Sequence, residues 1–307
     1  MGDCSNRSQN PILILRKPKT KNQKPNQTTD ETTGNHFKMS LQGKNIIITG
    51  ATSGIGVQLA TTLSKAGASV FIGGRRADRG EQVAKDTNTT FYTIDVSDES
   101  SNEQFFDAAE KYFGGPQTVD FVLLNAGVEG NGTETMVTDL KVETYDLVYN
   151  TNVRGVILGL KYGTPLLRPS GTFVVTSSVG SVLPFGMNPI YASSKAALDS
   201  LVRSYGAQFQ ESKDERIRSL SIVGMNPTLY MTDMADRFTG NNADVREGMA
   251  KMVNPSQRAG KPEELADLIL QFVHGDLPYH NGDSFTVDAD THFPLTEYFG
   301  RIAEATA

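Results

Sequence analysis

The sequence predicts one doubly wound α/β domain, a parallel sheet with helices on both faces. Three observations predict it. From residue 41 onward, short runs rich in β-branched residues alternate with segments of helical spacing. The first run is followed at once by a glycine-rich turn. A later run, 121–124, is apolar throughout, as a strand buried on both faces must be, and 172–176 and 220–223 repeat that pattern.

The elements follow in order. Residues 45–49 (NIIIT) read as the first strand and 50–56 as the turn. Residues 57–66 have helical spacing, and Gly67 suits a helix end. Residues 70–73 read as the second strand, 78–86 as a helix, 91–94 as the third strand and 100–113 as another helix. The apolar runs at 121–124, 172–176 and 220–223 continue the sheet with helices between them. Parallel strands need crossovers, and right-handed crossovers place helices on both faces. Neither a short internal repeat nor a second folded domain is expected.

Composition narrows the function classes. The chain has 307 residues, is 38% hydrophobic and carries a formal net charge of −6. Residues 1–38 hold seven Lys/Arg and three Asp/Glu in a polar, Asn/Gln/Thr-rich context. The remainder therefore has 22 basic and 32 acidic residues, net −10, which argues against nucleic acid as a partner. The segment 1–39 lacks the hydrophobic periodicity needed to offset its ordering entropy and is expected to be a disordered tail, leaving 40–307 as the domain. Its Met-Gly start lacks Ser or Thr at position 6 (Asn6), so myristoylation is not expected. The tail's basic excess leaves organellar import open, and Met39 is a candidate second start. No apolar run is long enough to span a bilayer. The single cysteine, Cys4, forbids an internal disulfide, and a cytoplasmic location is expected. The four histidines show no metal-ligand spacing, so no metal is expected.

The turn reads Thr49-Gly50-Ala51-Thr52-Ser53-Gly54-Ile55-Gly56. Gly50 permits a sharp turn, Gly54 removes a side chain where a phosphate approaches, and Gly56 permits close helix–strand packing. The helix that follows presents free N–H groups and partial positive charge to a pyrophosphate. Glycines after a strand also suit a tight connection without ligand; the position between strand and helix favours the phosphate. The spacing G-x-x-x-G-x-G resembles that of the classical short-chain dehydrogenase/reductase family. That resemblance implies a Rossmann-type domain with cofactor contacts at Gly50, Ser53, Gly54, Ile55 and Gly56.

The end of the second strand bears on which dinucleotide binds. An acidic residue there would bind the ribose hydroxyls of NAD. The sequence instead reads Gly73-Gly74-Arg75-Arg76, and Arg75 and Arg76 can pair with a 2′-phosphate. NADP is therefore expected over NAD, the competing reading being one Arg stacked on adenine and the other solvated. By resemblance, Asp95-Val96 contacts adenine and Asn125-Ala126-Gly127 follows the fourth strand as the family's N-A-G, with Leu124 before it where many members have Asn.

Tyr191 and Lys195 are four residues apart and share one face of a helix. A nearby ammonium, and the positive nicotinamide ring when the cofactor is oxidised, favour phenolate and make the tyrosine a usable acid or base. A bare Y-x-x-x-K is common, so its context matters. Ser178 follows the fifth strand thirteen residues before Tyr191, matching the family's catalytic serine, with Ser177 as the neighbouring candidate. Asn152-Val153-Arg154-Gly155 resembles the family's N-x-x-G. The resemblance implies that Ser178 binds the substrate oxygen and Tyr191 transfers the proton. It also implies that Lys195 holds the nicotinamide ribose and Asn152 holds a water in a relay ending at Lys195. Asn150 is the bland alternative to Asn152.

The match weakens after the sixth strand. Pro227 and Thr232 stand where the family contacts the nicotinamide, but Thr228 replaces the family's Gly, and Val287-Asp288-Ala289-Asp290 stands where many members read D-G-G. Thr does not adopt positive φ cheaply, so the loop is expected to differ locally. Residues 229–255 suggest a substrate lid, whose Met231, Met234, Phe238, Met249 and Met252 suit either an adaptable apolar pocket or packing of the lid against the core, and Leu183, Pro184, Phe185 and Met187 are expected to line the pocket.

Together these readings give an NAD(P)(H)-dependent oxidoreductase that interconverts a secondary alcohol and a ketone on a hydrophobic small molecule. A 3-oxoacyl thioester reductase and a non-catalytic NADP-sensing protein remain alternatives. By resemblance, the chain forms a homodimer or homotetramer.

Overall fold

The computed structural model describes residues 39–130, 136–183, 186, 188–289, 291–294 and 297–306. Residues 1–38 of the expected disordered tail, with Pro184, Phe185, Met187 and Asp290, lie outside the described residues.

The first half runs β1 (Asn45–Thr49), α1 (Gly54–Lys65), β2 (Ser69–Gly74), α2 (Ala77–Thr87), β3 (Thr90–Thr93), α3 (Glu99–Phe113) and β4 (Val119–Leu124). Then come α4 (Val142–Tyr149), a π-helical turn (Asn150–Arg154), α5 (Gly155–Gly163), β5 (Leu167–Thr176), α6 (Pro189–Gln210), α7 (Glu215–Ser219) and β6 (Ser221–Pro227). The chain continues through α8 (Asp233–Phe238), α9 (Ala243–Val253), α10 (Pro262–His274), β7 (Ser284–Asp288), β8 (Thr291–Pro294) and α11 (Tyr298–Thr306).

The eight strands form one sheet in the order β3-β2-β1-β4-β5-β6-β7-β8. Every neighbouring pair is parallel except β7 and β8, which are antiparallel. That antiparallel edge was not expected. The connection after Asp288 is too short for a crossover, so the chain can only turn back on itself. Ala289 makes the turn in the left-handed region, at φ 53°.

Alternation along the strands builds a core on each face. In β1, Ile46 and Ile48 face Leu59, Leu63, Leu265 and Ile269 of α1 and α10. Ile47 faces the opposite layer, with Phe105, Phe106, Leu198 and Val202 of α3 and α6. The strand order reverses between β1 and β4, and the crevice at their carboxyl ends is where such sheets bind ligands.

Some boundaries differ from expectation. α1 starts at Gly54, because the last residues of the glycine turn already form the first helical turn. β5 reaches back to Leu167 through Pro169 and Gly171, two residues that read as strand breakers in sequence. No helix among the described residues is long and apolar enough to cross a membrane.

Candidate active site

A cavity of 460 Å³ opens over the carboxyl ends of the strands. The glycine turn forms its floor. A Cβ at Gly50 would lie 2.6 Å from the Ala126 Cα, and one at Gly56 2.3 Å from the Gly50 carbonyl oxygen, so both positions exclude a side chain. Gly54 sits at φ 55°, in the left-handed region that favours glycine. Ser53 is the N-cap of α1 but makes no side-chain capping bond, and no acidic residue stands in the first turn. The helix end therefore turns uncapped N–H groups toward the cavity.

Thr49 fixes the opposite loop. Its hydroxyl accepts from Asn125 N–H at 3.2 Å and Ala126 N–H at 3.3 Å. Asn125, Ala126, Gly127, Pro227 and Thr232 all line the cavity, as do Ser53, Ile55, Arg75, Arg76 and Val96.

The end of β2 has no room for an acid. A Cβ at Gly74 would lie 2.5 Å from the Thr52 Cγ2. The Arg76 guanidinium instead folds onto the glycine turn, donating to Thr52 Oγ1 at 3.0 Å and Ser53 Oγ at 2.7 Å. Burial and then the nearby Arg79 push its pKa down from the ordinary value. Asp95 is not among the described residues lining the cavity; one of its carboxylate oxygens accepts from Ser97 N–H at 3.0 Å and Ser97 O–H at 2.7 Å. Its neighbours Ile94 and Val96 reach the cavity instead.

α6 delivers Tyr191 and Lys195. The helix starts where it does because Asn188 caps it, its Oδ1 accepting from Tyr191 N–H at 3.0 Å, with Pro189 in the first turn. Both side chains are buried. The Lys195 ammonium donates to the Thr176 carbonyl oxygen at 2.8 Å and lies 5.6 Å from the centroid of the Tyr191 ring.

Burial dominates the electrostatics of both groups. Burial pushes the Tyr191 phenol up to about 12, opposed by a hydrogen bond with Ser178, while the nearby Glu129 charge raises it further. Burial pulls Lys195 down to about 8, partly offset by Asp199 one turn along α6. In both groups desolvation of the charged form is the largest cause of the shift.

The two serines separate by direction. Ser177 Oγ donates to the Lys195 carbonyl oxygen at 2.9 Å and braces α6. Ser178 Oγ accepts from Gly180 N–H at 3.0 Å and hydrogen-bonds Tyr191. Ser178 is the one of the pair facing the phenol.

Asn152 lies in the π-helical turn between α4 and α5 and is fully buried. Such turns often mark functional sites. Its side chain is committed to the protein: Oδ1 accepts from Val128 N–H at 2.8 Å, and Nδ2 donates to Val128 O at 2.9 Å and Ser194 Oγ at 3.0 Å. It clamps the loop after β4 to α6.

Leu183, Leu229, Met234, Phe238, Met249 and Val253 give the cavity an apolar wall. Met231 and Met252, expected either in the pocket or packed against the core, are exposed instead. Phe238 meets the Tyr191 ring edge-on, with centroids 5.5 Å apart.

Several positioning residues were not foreseen. Asn226 Nδ2 donates to Asp199 Oδ2 at 3.0 Å and to the Ser178 carbonyl oxygen at 3.3 Å, tying α6 to the Ser178 loop. Thr228 donates to Asp288 Oδ1 at 3.1 Å, and Asn254 Nδ2 donates to Thr228 Oγ1 and Asp288 Oδ1, both at 2.8 Å. The two departures from the family pattern thus meet in one buried cluster at the neck of the lid. Glu129, two residues past the N-A-G stretch, is buried and ion-paired with Arg237. The Asn188-Pro189 cap-and-start pattern was readable in sequence; the long-range pairings of Asn226, Glu129 and Arg237 left no local signal.

Comparison with known proteins gives a consistent picture. A family model described as enoyl-(acyl carrier protein) reductase matches residues 50–292. The oxidoreductase asL5 of Sarocladium schorii is 28% identical over 254 residues, covering 81% of this chain and 95% of that protein. An NADP-dependent (R)-specific alcohol dehydrogenase of Lentilactobacillus kefiri is 29% identical over 256 residues, covering 81% and 96%. The solved structure of a short-chain dehydrogenase/reductase from Serratia marcescens superposes with a TM-score of 0.71 at 25% identity, covering 81% of this chain and 98% of that one.

Proposed function

Because the chain belongs to the short-chain dehydrogenase/reductase family, we propose that it interconverts a ketone and a secondary alcohol on a hydrophobic small molecule, with Tyr191 moving the proton and NADP(H) as the preferred dinucleotide. At the coarser level, the chain is an NAD(P)-dependent oxidoreductase acting on CH–OH or C=O groups. The observation that carries the finer reading is the convergence of Ser178, Tyr191 and Lys195 on one cavity.

The residues fit a dinucleotide. The side-chain-free floor at Gly50 and Gly56 and the uncapped start of α1 suit a pyrophosphate. Gly74 leaves no carboxylate for the ribose hydroxyls, and Arg75 and Arg76 offer guanidinium groups for a 2′-phosphate. The dinucleotide supplies or accepts the hydride when bound.

The chain's own residues handle the oxygen and the proton. Ser178 and Tyr191 hydrogen-bond the carbonyl oxygen and hold it in place. Tyr191, protonated at neutral pH, donates its phenolic proton to that oxygen in reduction. Lys195, oriented by Thr176, favours the phenolate left behind. Asn152 keeps the loop after β4 in register with α6. The apolar wall from the lid excludes water and suits a hydrophobic substrate.

A thioester reductase acting on a carrier protein would want a free basic surface. Arg154, Lys161 and Arg168 are instead engaged by the Ser97 carbonyl oxygen, Glu99 and Asp120. NADPH carrying deuterium at both C4 positions tests the reading directly. Deuterium should appear on the carbinol carbon of the product; its absence from every product formed contradicts hydride transfer.

A further inference from the structure

Glu129 is a buried carboxylate outside the roles described so far. Its side chain is 6% exposed, and it stands beside Tyr191 closely enough for its charge to be felt there. The loop that carries it is held firmly. Val128 is clamped on both its N–H and its carbonyl by Asn152, and the Glu129 carbonyl oxygen accepts from Asn188 Nδ2 at 2.6 Å. The partner of the carboxylate is Arg237, on the lid helix α8, and it is 59% exposed. The next residue, Phe238, is the one packed edge-on against Tyr191. The lid therefore bears on the catalytic tyrosine directly through Phe238 and indirectly through Arg237, which pairs with the carboxylate whose charge acts on it.

We propose that Arg237 is a latch residue. Its ion pair with Glu129 holds α8 closed beside Tyr191, and opening the lid strips a buried carboxylate next to the catalytic phenol of its counter-charge. The link to catalysis rests on the function proposed above; the latch itself does not.

Among the described residues, Arg237 pairs with this carboxylate from α8, with Asp233 of the same helix acting on Arg237, and the carboxylate's charge acts on Tyr191 of α6. Ser178 hydrogen-bonds the phenol, and the Lys195 ammonium lies 5.6 Å from the ring centroid. Arg237 is the cation that pairs with Glu129 in the structure. A buried carboxylate deprived of its partner is costly, so the closed lid is favoured while the pair is intact. An unpaired negative charge also raises the proton affinity of Tyr191 and opposes its use as a base. Arg237 is thus a positioning residue, acting through Glu129 and the lid.

The test uses the full chain and three proteins: wild type, Arg237→Gln and the double variant Glu129→Gln/Arg237→Gln. Amide hydrogen exchange is read across 229–253. In Arg237→Gln, exchange in α8 and α9 should rise about tenfold, with the sheet unchanged, because lid opening becomes more populated. In the double variant it should return to within about twofold of wild type, because a neutral amide tolerates burial without the cation. Unchanged exchange in the single variant, or a double variant as fast as the single, overturns the latch. Kinetics supply a second readout. In alcohol oxidation, the rising limb of the pH profile should move to higher pH in Arg237→Gln and move back in the double variant. A limb that stays in place in Arg237→Gln contradicts the coupling to Tyr191. Exchange that follows the expected pattern in an enzyme that turns over no substrate upholds the latch and sinks the functional reading instead.

Discussion

The Lys195 ammonium lies 5.6 Å from the centroid of the Tyr191 ring while donating to the Thr176 carbonyl oxygen at 2.8 Å. A buried cation is thus held under the phenol at a cost to the fold. Its pKa falls from 10.5 to about 8, so the unfolded chain binds more protons between those values, and stability rises with pH across that window. Lys195→Met removes the penalty. At pH 7 that shift is worth about 3 kcal/mol, and the lost hydrogen bond to the Thr176 carbonyl oxygen costs about 1 kcal/mol, so the variant should be more stable than wild type by about 2 kcal/mol, with no gain above pH ~10.5. It should also lose nearly all turnover. Denaturant unfolding at neutral and alkaline pH checks the first effect, and a steady-state assay the second.

The same titration shapes catalysis. In the free enzyme Tyr191 stays protonated well past neutrality, with a pKa of about 12, whereas Lys195 loses its proton near 8. For ketone reduction, kcat/KM should therefore decline as pH rises through about 8, where the phenolate loses its supporting charge, rather than only near the phenol's own pKa. A pH profile of kcat/KM checks this.

Dinucleotide choice should reside at the end of β2. Arg76→Ala removes a guanidinium poised on the glycine turn and lining the cavity. It should weaken NADPH binding by about tenfold to a hundredfold and leave NADH binding within about threefold. Titration calorimetry with both dinucleotides separates the two.

The lid neck yields opposite expectations for two glycine substitutions. Thr228→Gly restores the family residue, yet it removes a buried hydroxyl that donates to Asp288 and accepts from Asn254. It should destabilise the fold by about 1.5 kcal/mol. Ala289→Gly relieves a φ of 53° and should stabilise by about 0.5 kcal/mol, the gain limited by glycine's greater unfolded-state freedom. Thermal unfolding of the two variants should move in opposite directions.

These residues also show what was legible in the sequence. Local patterns gave the strands β1 to β6, the glycine turn and the helical face shared by Tyr191 and Lys195, because each is set by spacing within a few residues. The thirteen-residue step from Ser178 to Tyr191 carried the resemblance. Pro169 and Gly171 hid the start of β5, and the antiparallel β8 lacked a hairpin signal, since its turn uses alanine in place of glycine or asparagine. Thr228 and Asp288 each looked like an isolated departure. They are hydrogen-bond partners 60 positions apart, a pairing that only the fold can reveal. The burial of Tyr191 was hidden for a related reason: spacing places an ammonium nearby but does not disclose how deeply both groups are buried.

The most direct measurement follows NADPH and NADH oxidation by wild type and Tyr191→Phe against a panel of apolar ketones. The account predicts turnover by wild type with NADPH favoured, and a loss of about a thousandfold in the variant with NADPH still bound. Full activity in Tyr191→Phe would contradict it.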